Sequence, residues 1–140
     1  MRMTVLNNIY LRFSSFIDVM ETLDPQILTK QLDVSKSKSV GEHMWCLVGA
    51  RESYARAIIV GHWDGFSCSL ENSKDLNQII EKLKTSGQVF KDAVDSVSDW
   101  TEERDNLLVH LLEHESMHEG QLIRHIFALE KDVPKSVKWA

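Results

Sequence analysis

The sequence predicts an all-α protein folded as a four-helix bundle, and three observations carry that expectation. Apolar residues recur at helical spacing in four stretches. No stretch alternates convincingly at strand spacing. Helix-stop and helix-start chemistry stands at the junctions: Asp24-Pro25 after the first stretch, Ser39 with Glu42 before the second, Thr101 before the fourth.

The first helix is expected over residues 4–21, where Val5, Leu6, Ile9, Phe13, Phe16 and Met20 share helical spacing. The connection that follows holds a short turn at Ile27 to Leu32 and a polar run from Ser35 to Ser39. Ser39-Val40-Gly41-Glu42 reads as a capping box, in which the serine hydroxyl caps a backbone N–H and the glutamate reaches back. The second helix then runs from about Val40 to Val60, with Val40, His43, Leu47, Tyr54 and Ile58 facing inward and Met44 and Arg51 beside them. On Arg51 two readings stay open: a side chain whose stem is buried and whose head reaches water, or an anion-recognising group. Gly61 to Ser73 is a loop in which His62, Trp63 and Phe66 either pack over one end of the domain or form an aromatic lid. The third helix spans about Lys74 to Ser98, with a kink allowed at Gly87, which weakens a helix by about 1 kcal/mol relative to alanine. The fourth runs from about Glu102 to Leu129, and a tail with Pro134 and Trp139 follows. The tight third connection makes the last two helices antiparallel. Residues 1–140 read as a single domain.

Composition narrows the function classes. A hydrophobic fraction of 43% and a charged fraction of 26% are those of a soluble globule. A net charge of −5 argues against a nucleic-acid partner, which needs a basic surface. No apolar run approaches the roughly 20 residues that cross a bilayer, so no membrane role is expected. Two cysteines, Cys46 and Cys68, make no disulfide framework, and the expected compartment is the reducing cytoplasm.

The chemistry concentrates in His110 to Gln121, HLLEHESMHEGQ, where His110, His114 and His118 stand four residues apart. On a helix His114 and His118 share one stripe with Leu107, Leu111, Gln121, Leu122 and His125, while Glu113, Ser116, Glu119 and Arg124 fall on the other side. Each buried imidazole nitrogen needs a partner, and a metal is one. Three readings compete. His114-Glu115-Ser116-Met117-His118 spells the zinc-protease signature HExxH, but the further histidine and glycine of its extended form are out of register, and Glu115 lies toward the solvated edge of the stripe. Glu115 to His118 also spells ExxH, without the second such element that a di-iron bundle needs. The third reading adds His43 from the second helix, giving three nitrogen ligands and an open metal position. Imidazoles leave the metal among zinc, nickel, iron and copper. Cys46 points away from this stripe and is not counted as a ligand. Gly120 suggests the close approach of a neighbouring helix, and Gln121 either hydrogen-bonds a ligand ring or bound water or fills a buried polar gap.

Ser39 to Tyr54 (SVGEHMWCLVGARESY), the His110 to Gln121 segment and the late Pro134 and Trp139 together resemble the DinB/YfiT-like metal-binding proteins. The resemblance implies a four-helix bundle, often dimeric, with His43, His114 and His118 holding a divalent metal, zinc or nickel first, and His110 as a non-ligand. Met117 stands where that family commonly has histidine, and Glu119 where it commonly has arginine. It also implies a metal-dependent enzyme acting on a small-molecule substrate. The metal would activate water or a low-molecular-weight thiol such as bacillithiol, mycothiol or glutathione, in thiol-transferase or hydrolase-like chemistry. Arg51, Tyr54 and Gln121 are the candidate catalytic groups. The competing expectation is a non-catalytic metal-binding or stress-response bundle whose site is structural or vestigial. A homodimer is expected from the family and from the outward apolar Trp45.

Overall fold

A computed structural model describes residues 1–140 and contains four long helices and no strand. They are α1 (Arg2–Thr22), α2 (Val40–Val60), α3 (Leu76–Ser96) and α4 (Glu102–Ala128). A single 3₁₀ turn at Pro25–Ile27 follows α1, slightly earlier than the turn expected at Ile27 to Leu32, because Asp24 caps it through Gln26 and Pro25 supplies its first residue. α3 runs unbroken through Gly87. A side chain there would press on the ring of Phe13, so this glycine permits close packing of α1 instead of making a kink.

Around the bundle the order is α1, α3, α2, α4, so α1 lies across the diagonal from α2 and α3 from α4, while α2 and α3 are neighbours. Arg104 near the start of α4 donates to the carbonyl of Ile58 at the end of α2, while His118 meets His43 at the start of α2, so these two helices are antiparallel. α1 runs parallel to α4, since Arg2 pairs with Asp105 and Arg12 with Glu119. The junction chemistry read from the sequence is present: Glu42 N–H donates to Ser39 Oγ, Ser39 N–H donates to Glu42, and Arg104 N–H donates to the Thr101 hydroxyl.

The apolar core falls into two clusters. One, around Phe16, Val40, Met44, Leu47, Leu122 and Ile126, fills the end where α2 begins. The other, around Ile9, Phe13, Ile58, Phe90, Leu108 and Leu111, fills the end where it finishes. Among these core residues, on α2 and α4, stand Arg51 and Glu115, both fully buried. This corrects two expectations. Arg51 does not extend its head to water, and Glu115 does not lie at a solvated edge. Arg51 Nε and Nη2 donate to the two Glu115 carboxylate oxygens at 2.8 and 2.9 Å, and Nη1 donates to the Leu83 carbonyl. The guanidinium also lies 4.0 Å from the centroid of the Phe13 ring. Glu119, expected on the outer side of α4, is likewise buried, 2.7 Å from Arg12 Nε.

The 61–73 loop packs along α2. Phe66 sits on Trp45 and Trp63 on Tyr54, and Gly49 leaves the space that Phe66 and Cys68 occupy. No helix is long and apolar enough to cross a membrane.

Candidate functional site

The capping box does more than start α2: it fixes the first turn in which His43 sits. Gln31 donates to Glu42, and Gly41 N–H donates to the Leu28 carbonyl, so the preceding loop is tied to the same turn. Gly41 has no side chain because the Ser73 carbonyl occupies that space. From this anchored position His43 reaches across to α4, where its Nδ1 lies 2.9 Å from His118 Nδ1. With both rings neutral, one N–H donates and the other nitrogen accepts. His114, one turn earlier, packs its ring 4.5 Å from that of His118, centroid to centroid, and its Nδ1 is buried with no hydrogen-bond partner.

Burial is the main influence on all three rings. It lowers His43 to about 4, helped by the positive charges of His125 and Lys38 and opposed by Glu42. It lowers His118 to about 3, helped by His114, His43 and Lys38. It lowers His114 as well, where Glu115 pulls upward and Arg51 and Lys38 pull down. Neutral imidazoles with available lone pairs are the form that binds a metal.

The fit to a metal rests on that donor chemistry and on the orphaned His114 nitrogen, since an unpaired buried polar atom is costly. Two nitrogens on one tetrahedral zinc stand about 3.3 Å apart by simple geometry, close to the His43–His118 spacing. As the side chains stand, no three His, Cys, Asp or Glu groups close into a metal-holding cluster.

A cavity of about 420 Å³ opens beside His43. The loop before α2 forms one wall, with Leu32, Lys36, Ser37 and Lys38; the late turns of α4 form the other, with Gly120, Gln121, Arg124 and His125. Gly120 meets no neighbouring helix: a side chain there has no atom within 4 Å, so its helical position borders the cavity instead of a close helix contact. Of the three candidate catalytic groups, only Gln121 lines this space. Arg51 has its guanidinium committed to Glu115 and Leu83 and does not line the cavity. Tyr54 stacks on Trp63 outside the cavity. His62, Trp63 and Phe66 form no lid over it. His62 and His110 are exposed.

Sequence reasoning missed the role of His125, whose Nε2 lies 2.9 Å from the Lys30 carbonyl and so donates to it, tying α4 to the loop. It also missed Arg12 and Glu119. Their contact is an ion pair without a directed hydrogen bond, and burial, opposed by Arg12, raises the Glu119 carboxyl. A signal existed: Arg12 falls three residues after Ile9 and four before Phe16, inside the apolar stripe of α1. Compared with known proteins, the sequence matches no protein-family model and no curated protein.

Proposed function

We propose that this chain is a metal-dependent enzyme of the DinB/YfiT-like kind, with His43, His114 and His118 holding a divalent zinc or nickel ion next to a substrate cavity. The observation that carries the reading is the meeting of His43 and His118 across α2 and α4, with the unpartnered His114 nitrogen one turn away. When bound, the metal supplies a Lewis acid that ionises a low-molecular-weight thiol or a water molecule at neutral pH. The chain's own residues do the rest. Burial keeps the imidazoles neutral and ready to ligate. Gln121 presents an amide to the cavity and orients a bound molecule, while Leu32 and the α4 backbone at Gly120 shape the space it enters. A purely structural site accounts for the histidines but not for the cavity in whose wall His43 stands, so the catalytic reading is preferred.

The test is elemental mass spectrometry of the tag-free protein beside a His118→Ala variant. About one metal per chain, at least tenfold depleted in the variant, is the expected result. Negligible metal in both, even after reloading, removes the proposal. Metal-loaded protein is then assayed for transfer of a thiol to an electrophile and for hydrolysis; metal without turnover, and melting of the bundle on chelation, favour the structural site.

A further inference from the structure

The wall of the cavity beside His43 has an uneven charge. The chain as a whole carries 21 acidic against 16 basic residues. Yet Lys36, Lys38 and Arg124 line this one space and no aspartate or glutamate does. None of the three cations makes an ion pair within the chain. Their convergence is built. Lys36 adopts a left-handed backbone, φ 63°, which a non-glycine residue adopts only at a cost. The Ser37 hydroxyl accepts from Leu32 N–H, and His125 holds the Lys30 carbonyl, so the loop bearing both lysines is pinned against α4. His43 and His125, each more than nine-tenths buried, form the inner wall. The volume, about 420 Å³, lies within the range of small-molecule pockets.

We infer that this cavity recognises a small organic anion through Lys38 and Arg124, with Lys36 at its rim. The inference deepens the proposed function by giving the substrate class of the same site: the molecule brought to the histidines carries a carboxylate or comparable anionic group. Cations with no internal partner in a partly enclosed space attract such a group at long range and hold it by charge-assisted hydrogen bonds. The metal itself is not needed for this binding, because the cations stand in the polypeptide.

The test is a titration of backbone amide NMR shifts in the metal-free full-length protein at fixed ionic strength. The probes are succinate, its uncharged diamide and inorganic phosphate, each added to the wild type and to a Lys38→Gln/Arg124→Gln variant. Expected are saturable shifts around residues 36–38 and 120–125 with succinate, none with the diamide, and affinity weaker by about tenfold or more in the variant. Both substituted side chains are exposed, and the variant's amide dispersion reports directly on its fold. Equal binding of the diamide, no saturable succinate binding to the wild type, or variant affinity within twofold of wild type overturns the inference. Phosphate binding as tightly as succinate overturns its organic part. Metal content of the same wild-type preparation after reloading, with the succinate titration repeated on it, separates the two readings. Succinate binding in a protein that never takes up metal removes the metal site and leaves the anion site standing. A metal-loaded protein indifferent to succinate does the reverse.

Discussion

Substituting Glu115 by glutamine tests the buried polar layer on which the centre of the bundle depends. The carboxylate receives two hydrogen bonds from Arg51, at 2.8 and 2.9 Å, and neither side chain is exposed to solvent. Glutamine keeps the shape but removes the charge. Arg51 does not lose its proton in a protein, so an uncompensated guanidinium is left between two apolar clusters. Breaking one partner of such a pair costs about 3–5 kcal/mol. For a chain of this size that lowers the melting temperature by roughly 10–15 °C. Urea unfolding of the metal-free protein, followed by circular dichroism, measures it. The companion is Arg51→Met/Glu115→Leu, which removes both charges and is expected within about 1 kcal/mol of wild type or above it. If Glu115→Gln costs less than about 1 kcal/mol, or the double variant is as unstable as the single one, the pair is not the isolated, desolvated contact described above.

The same metal-free protein has a defined acid limit. His43 and His118 are held neutral in the folded state while an unfolded chain takes up their protons near 6.5, so stability is full above that pH and falls as pH drops through about 4 and then about 3. Urea midpoints measured from pH 7 to pH 4 fall in the wild type and fall less in His43→Gln; identical profiles count against neutral, buried rings. Two glycines behave oppositely. Gly49→Ala meets Phe66 and Cys68 and destabilises by about 1–3 kcal/mol, whereas Gly120→Ala enters open space on a helix and stabilises by about 1 kcal/mol. Thermal melts rank the two, and the reverse order would contradict the packing around the 61–73 loop.

Helix bounds were legible in the sequence wherever a side chain itself writes the boundary. Ser39 with Glu42, and Thr101, place the starts of α2 and α4 at the residues expected. The face of α4 was legible too, because His114, His118 and Leu122 recur at four-residue steps. What periodicity does not reveal is a partner on another helix. Arg51 and Glu115 each look marginal on their own wheel, and only the pairing across α2 and α4 makes their burial tolerable. Arg12 and Glu119 repeat the lesson between α1 and α4. The cavity was illegible for a different reason. Half of its wall is irregular chain, Leu32 to Lys38, whose position comes from single hydrogen bonds such as those of Ser37 and His125 and not from any repeating pattern. The same absence of pattern hid Gly120, whose open side is cavity instead of helix.

The two buried ion pairs also bear on the chemistry. On α4, Glu115 and Glu119 each follow a histidine of the candidate site by one residue, and one residue turns the helix by about 100°. The imidazole of His118 therefore turns toward His43 and that of His114 packs on His118, while the carboxylates turn to arginines from two other helices. Each carboxylate next to a histidine would otherwise favour its protonated form. At His114 the upward influence of Glu115 is opposed by that of Arg51, and burial prevails. Arginine pairing of Glu115 thus adds to burial in keeping the His114 ring neutral. It also disposes of the literal HExxH reading. That chemistry needs the glutamate as a general base within reach of a water on the metal. Here Glu115 is fully buried with both oxygens bound to Arg51, so it has no free oxygen to offer. A signature defined by spacing alone loses its base to a partner 64 residues away. The groups left to meet a small molecule are the imidazole of His43, the amide of Gln121 and the cations of the cavity wall.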